Sequence, residues 1–156
     1  MWRLLVLLVS AWLVASPAAS GDLADGLQAY DGGDYAGARK AWKRAAAAGN
    51  PLAMTSLANL HMQGLGVPRD PARAAAWYRR AAELGDPVGQ LNIGDLLSRG
   101  IGVVQDRVEG YMWLGLAAAQ GRKWAADRQK ALAASMSASE ISAAEDRLRT
   151  WKPKDG

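Results

Sequence analysis

A fixed spacing of 36 residues runs through this chain and narrows its fold more than any other feature. Gly64-Leu65-Gly66-Val67 returns as Gly100-Ile101-Gly102-Val103. Asp34 returns as Asp70 and Asp106, Ala45-Ala46 as Ala81-Ala82 and Ala117-Ala118, and Gly49 as Gly85 and Gly121. A period of this length marks a stacked array, in which no unit can bury its apolar face alone and each packs on its neighbours. Arrays of this kind bind partners and seldom do chemistry themselves.

The first twenty residues stand outside the repeat. Arg3 is their only charge, Leu4 to Val14 is apolar, and Ala18-Ala19-Ser20 offers the small residues a signal peptidase reads. Residues 1–20 are therefore expected to be a secretory signal peptide cleaved after Ser20, and the protein to be periplasmic or secreted. The alternative is an uncleaved anchor, although the apolar run falls well short of the roughly 20 residues a spanning helix needs. No stable membrane insertion is expected after cleavage. The chain has no Cys, so neither a disulfide nor a lipid on an N-terminal Cys can hold it, and its stability must come from packing. Its net charge of +4 is spread thinly, with no run of five like charges, which argues against a nucleic-acid partner.

Residues 21–156 read as one all-α domain, with units of about 21–50, 51–86 and 87–122 and a C-terminal cap over 123–156. A short helix is expected over 23–30, ended by Gly32-Gly33. Asp34, Asp70 and Asp106 each precede a helical stretch and suit the N-cap, where a carboxylate accepts a backbone N–H that the first turn leaves free. Pro71 suits the first helical position. Ala38, Trp42 and Ala45 fall at i, i+4 and i+7, as do Ala74, Tyr78 and Ala81, then Gly110, Leu114 and Ala117. That spacing puts each trio on one face, with small residues allowing close approach and large ones filling the gaps. Trp77 and Trp113 share a register beside this stripe. Gly49, Gly85 and Gly121 suit left-handed helix ends. Further helices are expected over 52–62, 88–98 and 124–134, with Leu57 and Leu60 answering Ile93 and Leu96. Connections this short make successive helices antiparallel. Ser137 and Glu140 form a capping box before a stripe of Ile141, Ala144, Leu148 and Trp151, the pattern of a capping helix.

With those residues in view, the chain resembles the Sel1-like repeat family, relatives of the tetratricopeptide solenoids. The motif reads Leu57-Ala58, His61, Gly64-Leu65-Gly66-Val67, Asp70, Ala74, Trp77-Tyr78, Ala81-Ala82 and Gly85. It reads again as Ile93-Gly94, Leu97, Gly100-Ile101-Gly102-Val103, Asp106, Gly110, Trp113-Leu114, Ala117-Ala118 and Gly121. His61 and Leu97 stand where the family carries an aromatic. Without Cys, the disulfide-stapled branch of the family does not transfer, nor does the penicillin-directed activity attributed to it. The resemblance implies a right-handed superhelical solenoid of antiparallel helix pairs, the first helix of each pair lining a concave surface that binds protein. Residues expected on that surface are Thr55, Asn59, Met62 and Gln63, then Leu91, Asp95, Ser98 and Arg99, then Asp127.

No residue pattern points to catalysis, a metal or a cofactor. His61 is the only His, with no Cys and no second His beside it, and a packed structural role is expected. The Gly-x-Gly turns lack the strand-to-helix setting of a dinucleotide fingerprint, and no Ser-x-x-Lys or Gly-x-Ser-x-Gly motif occurs. The three repeated Asp residues are explained together by capping. Trp124 and Trp151 leave open a sugar-binding role. The expected function is a non-enzymatic periplasmic scaffold or adaptor that binds an envelope protein or peptide. A scaffold associated with cell-envelope glycan or peptidoglycan is the alternative, and a hydrolase a more distant one.

Overall fold

The computed structural model describes residues 17–154, which form eight helices and no strand. They are α1 (Pro17–Asp31), α2 (Tyr35–Ala47), α3 (Pro51–Gln63), α4 (Pro71–Glu83), α5 (Pro87–Arg99), α6 (Arg107–Ala119), α7 (Lys123–Ala133) and α8 (Ala138–Thr150). Each helix from α1 to α6 packs on the next, and the odd helices α3, α5 and α7 also touch in series. That is the solenoid the repeat requires. The segment 1–16 of the expected signal peptide lies outside the described residues, and its expected cleavage site falls inside α1. Among the described residues the first helix is longer than the 23–30 read from sequence, running over Pro17–Asp31.

The ends of the helices explain the period. Asp34, Asp70 and Asp106 each accept the backbone N–H three residues on, from Gly37, Arg73 and Glu109. Asn50 and Asp86 do the same for α3 and α5, two caps that the sequence reading did not name, and Pro51 and Pro87 follow them as first helical residues. At the other end, Gly49 donates to the Ala46 carbonyl and Asn50 to that of Ala45, a Schellman closure. Gly85 with Asp86 and Gly121 with Arg122 repeat it on Ala82 with Ala81 and Ala118 with Ala117. The repeated Ala-Ala pair thus carries the acceptors of the cap, while its side chains are buried or half-buried where neighbouring helices meet.

The Gly-x-Gly turn has two jobs. Gly64 and Gly100 end α3 and α5 in the left-handed conformation, at φ 73° and 67°. Gly102 lets the loop rest on the start of α4, where an added Cβ would stand 2.4 Å from the Pro71 carbonyl carbon. Gly66 rests in the same way on Tyr35 and Ala36. The turn therefore ties each unit to the one before it.

The stripes read from sequence form the core. Ala38, Trp42, Ala45, Leu57 and Leu60 are buried together; Tyr78, Ala82, Ile93, Leu96 and Trp113 form the next cluster; Leu114, Ala117 and Ala125 form the last. Trp77 is half-buried, but its counterpart Trp113 is wholly covered, because Trp151 meets it edge-on at 5.8 Å between ring centroids. The cap is also placed differently from a further repeat. α8 lays its buried Ala144 and its Leu148 toward α6, on which it packs. The chain then runs back across the array, and Lys154 donates its N–H to the Glu83 carbonyl at 2.8 Å.

Candidate functional site

α3, α5 and α7 are equivalent helices 36 residues apart, so their surface can be read register by register. One stripe per helix stays open to solvent at i, i+4, i+7 and i+11. In α3 it is Leu52, Ser56, Asn59 and Gln63; in α5 it is Val88, Asn92, Asp95 and Arg99; in α7 it begins with Trp124 and Arg128. These are exposed or half-buried throughout, while in α3 and α5 most of the positions between them are buried.

Burial sorts the nine residues expected on this surface. Asn59, Gln63, Asp95 and Arg99 lie on the stripe. Thr55 does not: it is buried, with its hydroxyl donating to the Leu52 carbonyl at 2.9 Å. Leu91 is half-buried against the Leu114–Ala117–Ala125 cluster, and Met62 packs against the cluster around Tyr78 and Ile93. Ser98 is half-buried and donates to the Asp95 carbonyl. Thr55, Leu91 and Asp127 occupy one register. Asp127 alone in that register is exposed, and it pairs with Lys123 at 2.9 Å. The register points into the array, so Thr55 and Leu91 leave the candidate surface. Asp127 is exposed because α7 has a single buried residue, Ala125, and lies at the end of the stack.

The sequence reading also missed residues that the fold brings to this face. Leu27 and Tyr30 of α1 join Ser56, Asn59 and Gln63 of α3 around a groove of about 200 Å³ floored by Trp42. Leu27 stands 36 residues before Gln63, so the same register would have pointed to it. Asn59 is held by a hydrogen bond from the Tyr78 hydroxyl. Burial pushes the Tyr78 pKa up to about 12, so it remains a donor across the neutral range. Further along, Asp95 is bridged by Arg99 at 3.0 Å and by Arg128 at 3.3 Å, which joins α5 to α7 across the face. Leu27, Leu52 and Trp124 are exposed apolar side chains on these helices. The face thus presents apolar contacts, amides and one clustered ion network. It has the chemistry of a surface that grips a chain, with amides to hold its backbone and apolar points to anchor its side chains.

The residues weighed for other chemistry are otherwise employed. Each of the three repeated Asp residues caps a helix. Trp151 is spent against Trp113, which removes half of the pair considered for sugar binding; Trp124 remains 71% exposed. His61 sits on α3 with 6% of its surface accessible.

The Sel1 repeat model matches residues 51–86 and 87–121. The chain is similar to a solved Sel1 repeat protein from Oxalobacter formigenes, at 33% identity over 72% of this chain and 87% of that one, with a TM-score of 0.68. It is also similar in fold to a protective antigen of uropathogenic Escherichia coli strains displaying an SLR fold, at 24% identity and a TM-score of 0.76. That match covers 88% of this chain, which spans about a third (34%) of the antigen's length. No curated protein matches the chain.

Proposed function

The chain belongs to the Sel1 repeat family, and from that premise we propose that it is an exported, non-enzymatic adaptor that holds an extended segment of an envelope protein on its odd-helix face. Sel1 repeats serve protein–protein interaction, and their fold is typically a scaffold without catalysis. The observation that carries the reading is the continuous open stripe on α3, α5 and α7, with the Leu27–Tyr30 groove at one end, the Asp95–Arg99–Arg128 network further along and Trp124 at the other end. Export rests on the charge, apolar run and small residues of the first twenty positions. Among the described residues, no helix is long and apolar enough to cross a membrane.

The test replaces Leu27, Leu52, Gln63 and Trp124 together, by Ser, Ser, Ala and Ala. Exposed substitutions change stability by less than about 0.5 kcal/mol each, so the melting temperature should stay within a few degrees. The variant should lose the partner that the parent retains in a pull-down from cell-envelope extract. Retention of that partner by the folded variant would place binding elsewhere. Co-sedimentation of parent and variant with isolated peptidoglycan separates the glycan reading, since Trp124 is the aromatic still open to a sugar. For export, the protein recovered from the periplasm should begin near Gly21; an intact Met1 in the membrane fraction would instead identify an anchor.

A further inference from the structure

A second cleft lies on the other side of α3. Two residues along a helix turn the side chain by about 200°, to within about 20° of opposite, so His61 faces away from both Asn59 and Gln63. The cleft encloses about 250 Å³ between Arg39 of α2, His61 of α3, Arg73 of α4 and the loop residues Val67, Pro68, Arg69 and Asp70. Three guanidinium groups and one carboxylate thus line a small space with apolar walls. Arg69 is steadied by a 3.1 Å bond from Nε to the Met62 carbonyl, and Arg73 stands 3.2 Å from Asp70. At the cleft, His61 is more than nine-tenths buried, and its Nδ1 has no hydrogen-bond partner. A buried polar atom left unpaired costs about 1–3 kcal/mol, a cost that a ligand reaching Nδ1 would relieve.

The repeat supplies its own control. One unit on, the positions of Arg39, His61, Arg69 and Arg73 are held by Ala75, Leu97, Gln105 and Glu109. The same turn, cap and helix pair form there without the basic groups. The fold therefore does not require three Arg residues and a His at this place.

We propose that this cleft binds a carboxylate, from an acidic side chain or the chain end of a peptide ligand. The planar guanidinium fork matches a carboxylate in two parallel hydrogen bonds. A carboxylate fits better than a phosphate dianion, because Asp70 lies in the same wall. The site is independent of the odd-helix face and can fail or stand without it. Burial first, then Arg73, Arg39 and Lys43, hold the His61 pKa below its ordinary value, with Asp70 opposing. A bound carboxylate adds an opposite charge and an acceptor, so it raises that pKa and is held more tightly as pH falls.

His61 is the only His in the chain, so its imidazole resonances report on the cleft without assignment. Titration of the full chain with acetate, and with a short peptide bearing one Glu, should shift them saturably and raise the apparent pKa of His61. Sodium chloride at matched ionic strength should not. The variant Arg39→Ala, Arg69→Gln, Arg73→Glu takes the residues of the next unit, where Glu109 is bonded by Arg79 and Trp113; Lys43 and Trp77 wait at the matching positions. It should fold and bind at least about tenfold more weakly, the loss of one charge-assisted hydrogen bond. Arg69→Gln alone, at an exposed residue, gives a milder second variant with the same expected direction. An unresponsive His61, an equal response from the folded variants, or tighter binding of inorganic phosphate than of carboxylate would overturn the proposal.

Discussion

Glu109 shows how far one side chain can be followed from its register. It stands where the preceding unit has Arg73, one turn into its helix, and is bonded by Arg79 from α4 and by the Trp113 Nε1 at 3.0 Å. Burial pushes its carboxyl up, but the bonds from Arg79 and Trp113 outweigh it and hold the pKa below the usual carboxylate value. A carboxyl lowered in the folded state stabilises the protein above its unfolded pKa, and that contribution fades as pH falls through the folded value. Glu109→Gln keeps an acceptor for Trp113 and loses the ionic part. The Arg79 side chain is 35% exposed, so solvent screens the pair, and the cost should be about 0.5–1 kcal/mol at neutral pH. Urea melts of parent and variant should differ at pH 7 and converge below the carboxylate range. A gap that persisted in acid would mean that the loss came from packing.

At the scale of the element, the two demands on a turn glycine, a left-handed backbone and close approach, can be separated. Gly121 and Gly102 both have positive φ, at 86° and 68°, but an added Cβ at Gly121 meets open space while at Gly102 it meets the Pro71 backbone. Gly121→Ala should cost only the left-handed strain, about 1–3 kcal/mol. Gly102→Ala should cost clearly more, because the loop must lift from α4. Thermal melts of the pair decide it, and equal losses would remove the docking role of the loop. The helices, the three repeated Asp caps and the core stripes were legible in the sequence, since Asp34, Trp42, Leu57 and the Gly positions obey local rules that need no neighbour. The candidate face was less so. Thr55 and Asn59 are both polar and one turn apart, yet Thr55 is covered and Asn59 open, a difference that residue type does not announce. Arg128 reaches Asp95 in the same way, a contact between helices that no local pattern announces.

The whole array is closed by a segment that does not follow the repeat. α8 packs on α6, Leu148 lies over Gly115, Trp151 covers Trp113, and Lys154 bonds the Glu83 carbonyl and pairs with its carboxylate at 2.9 Å. The tail therefore ties the end of the chain to both complete units, and the sequence could show its amphipathic stripe but not that it turns back. In a solenoid, stability is roughly the sum of unit terms and neighbour interfaces, so losing this segment should weaken α4 and α6 together. Removing 137–156 would uncover Trp113 and the flank of α6, an apolar patch of the kind that drives association. The truncated protein should melt at lower temperature, lose helicity only in proportion to α8, and run as larger species by size exclusion. Hydrogen exchange should quicken in α6 and at the end of α4, around Glu83, while α2 keeps its protection. A truncated chain that stays monomeric with the parent's melting temperature would mean that α8 and its tail are held too weakly to close the array, and that the end of the solenoid is sealed by α6 and α7 alone.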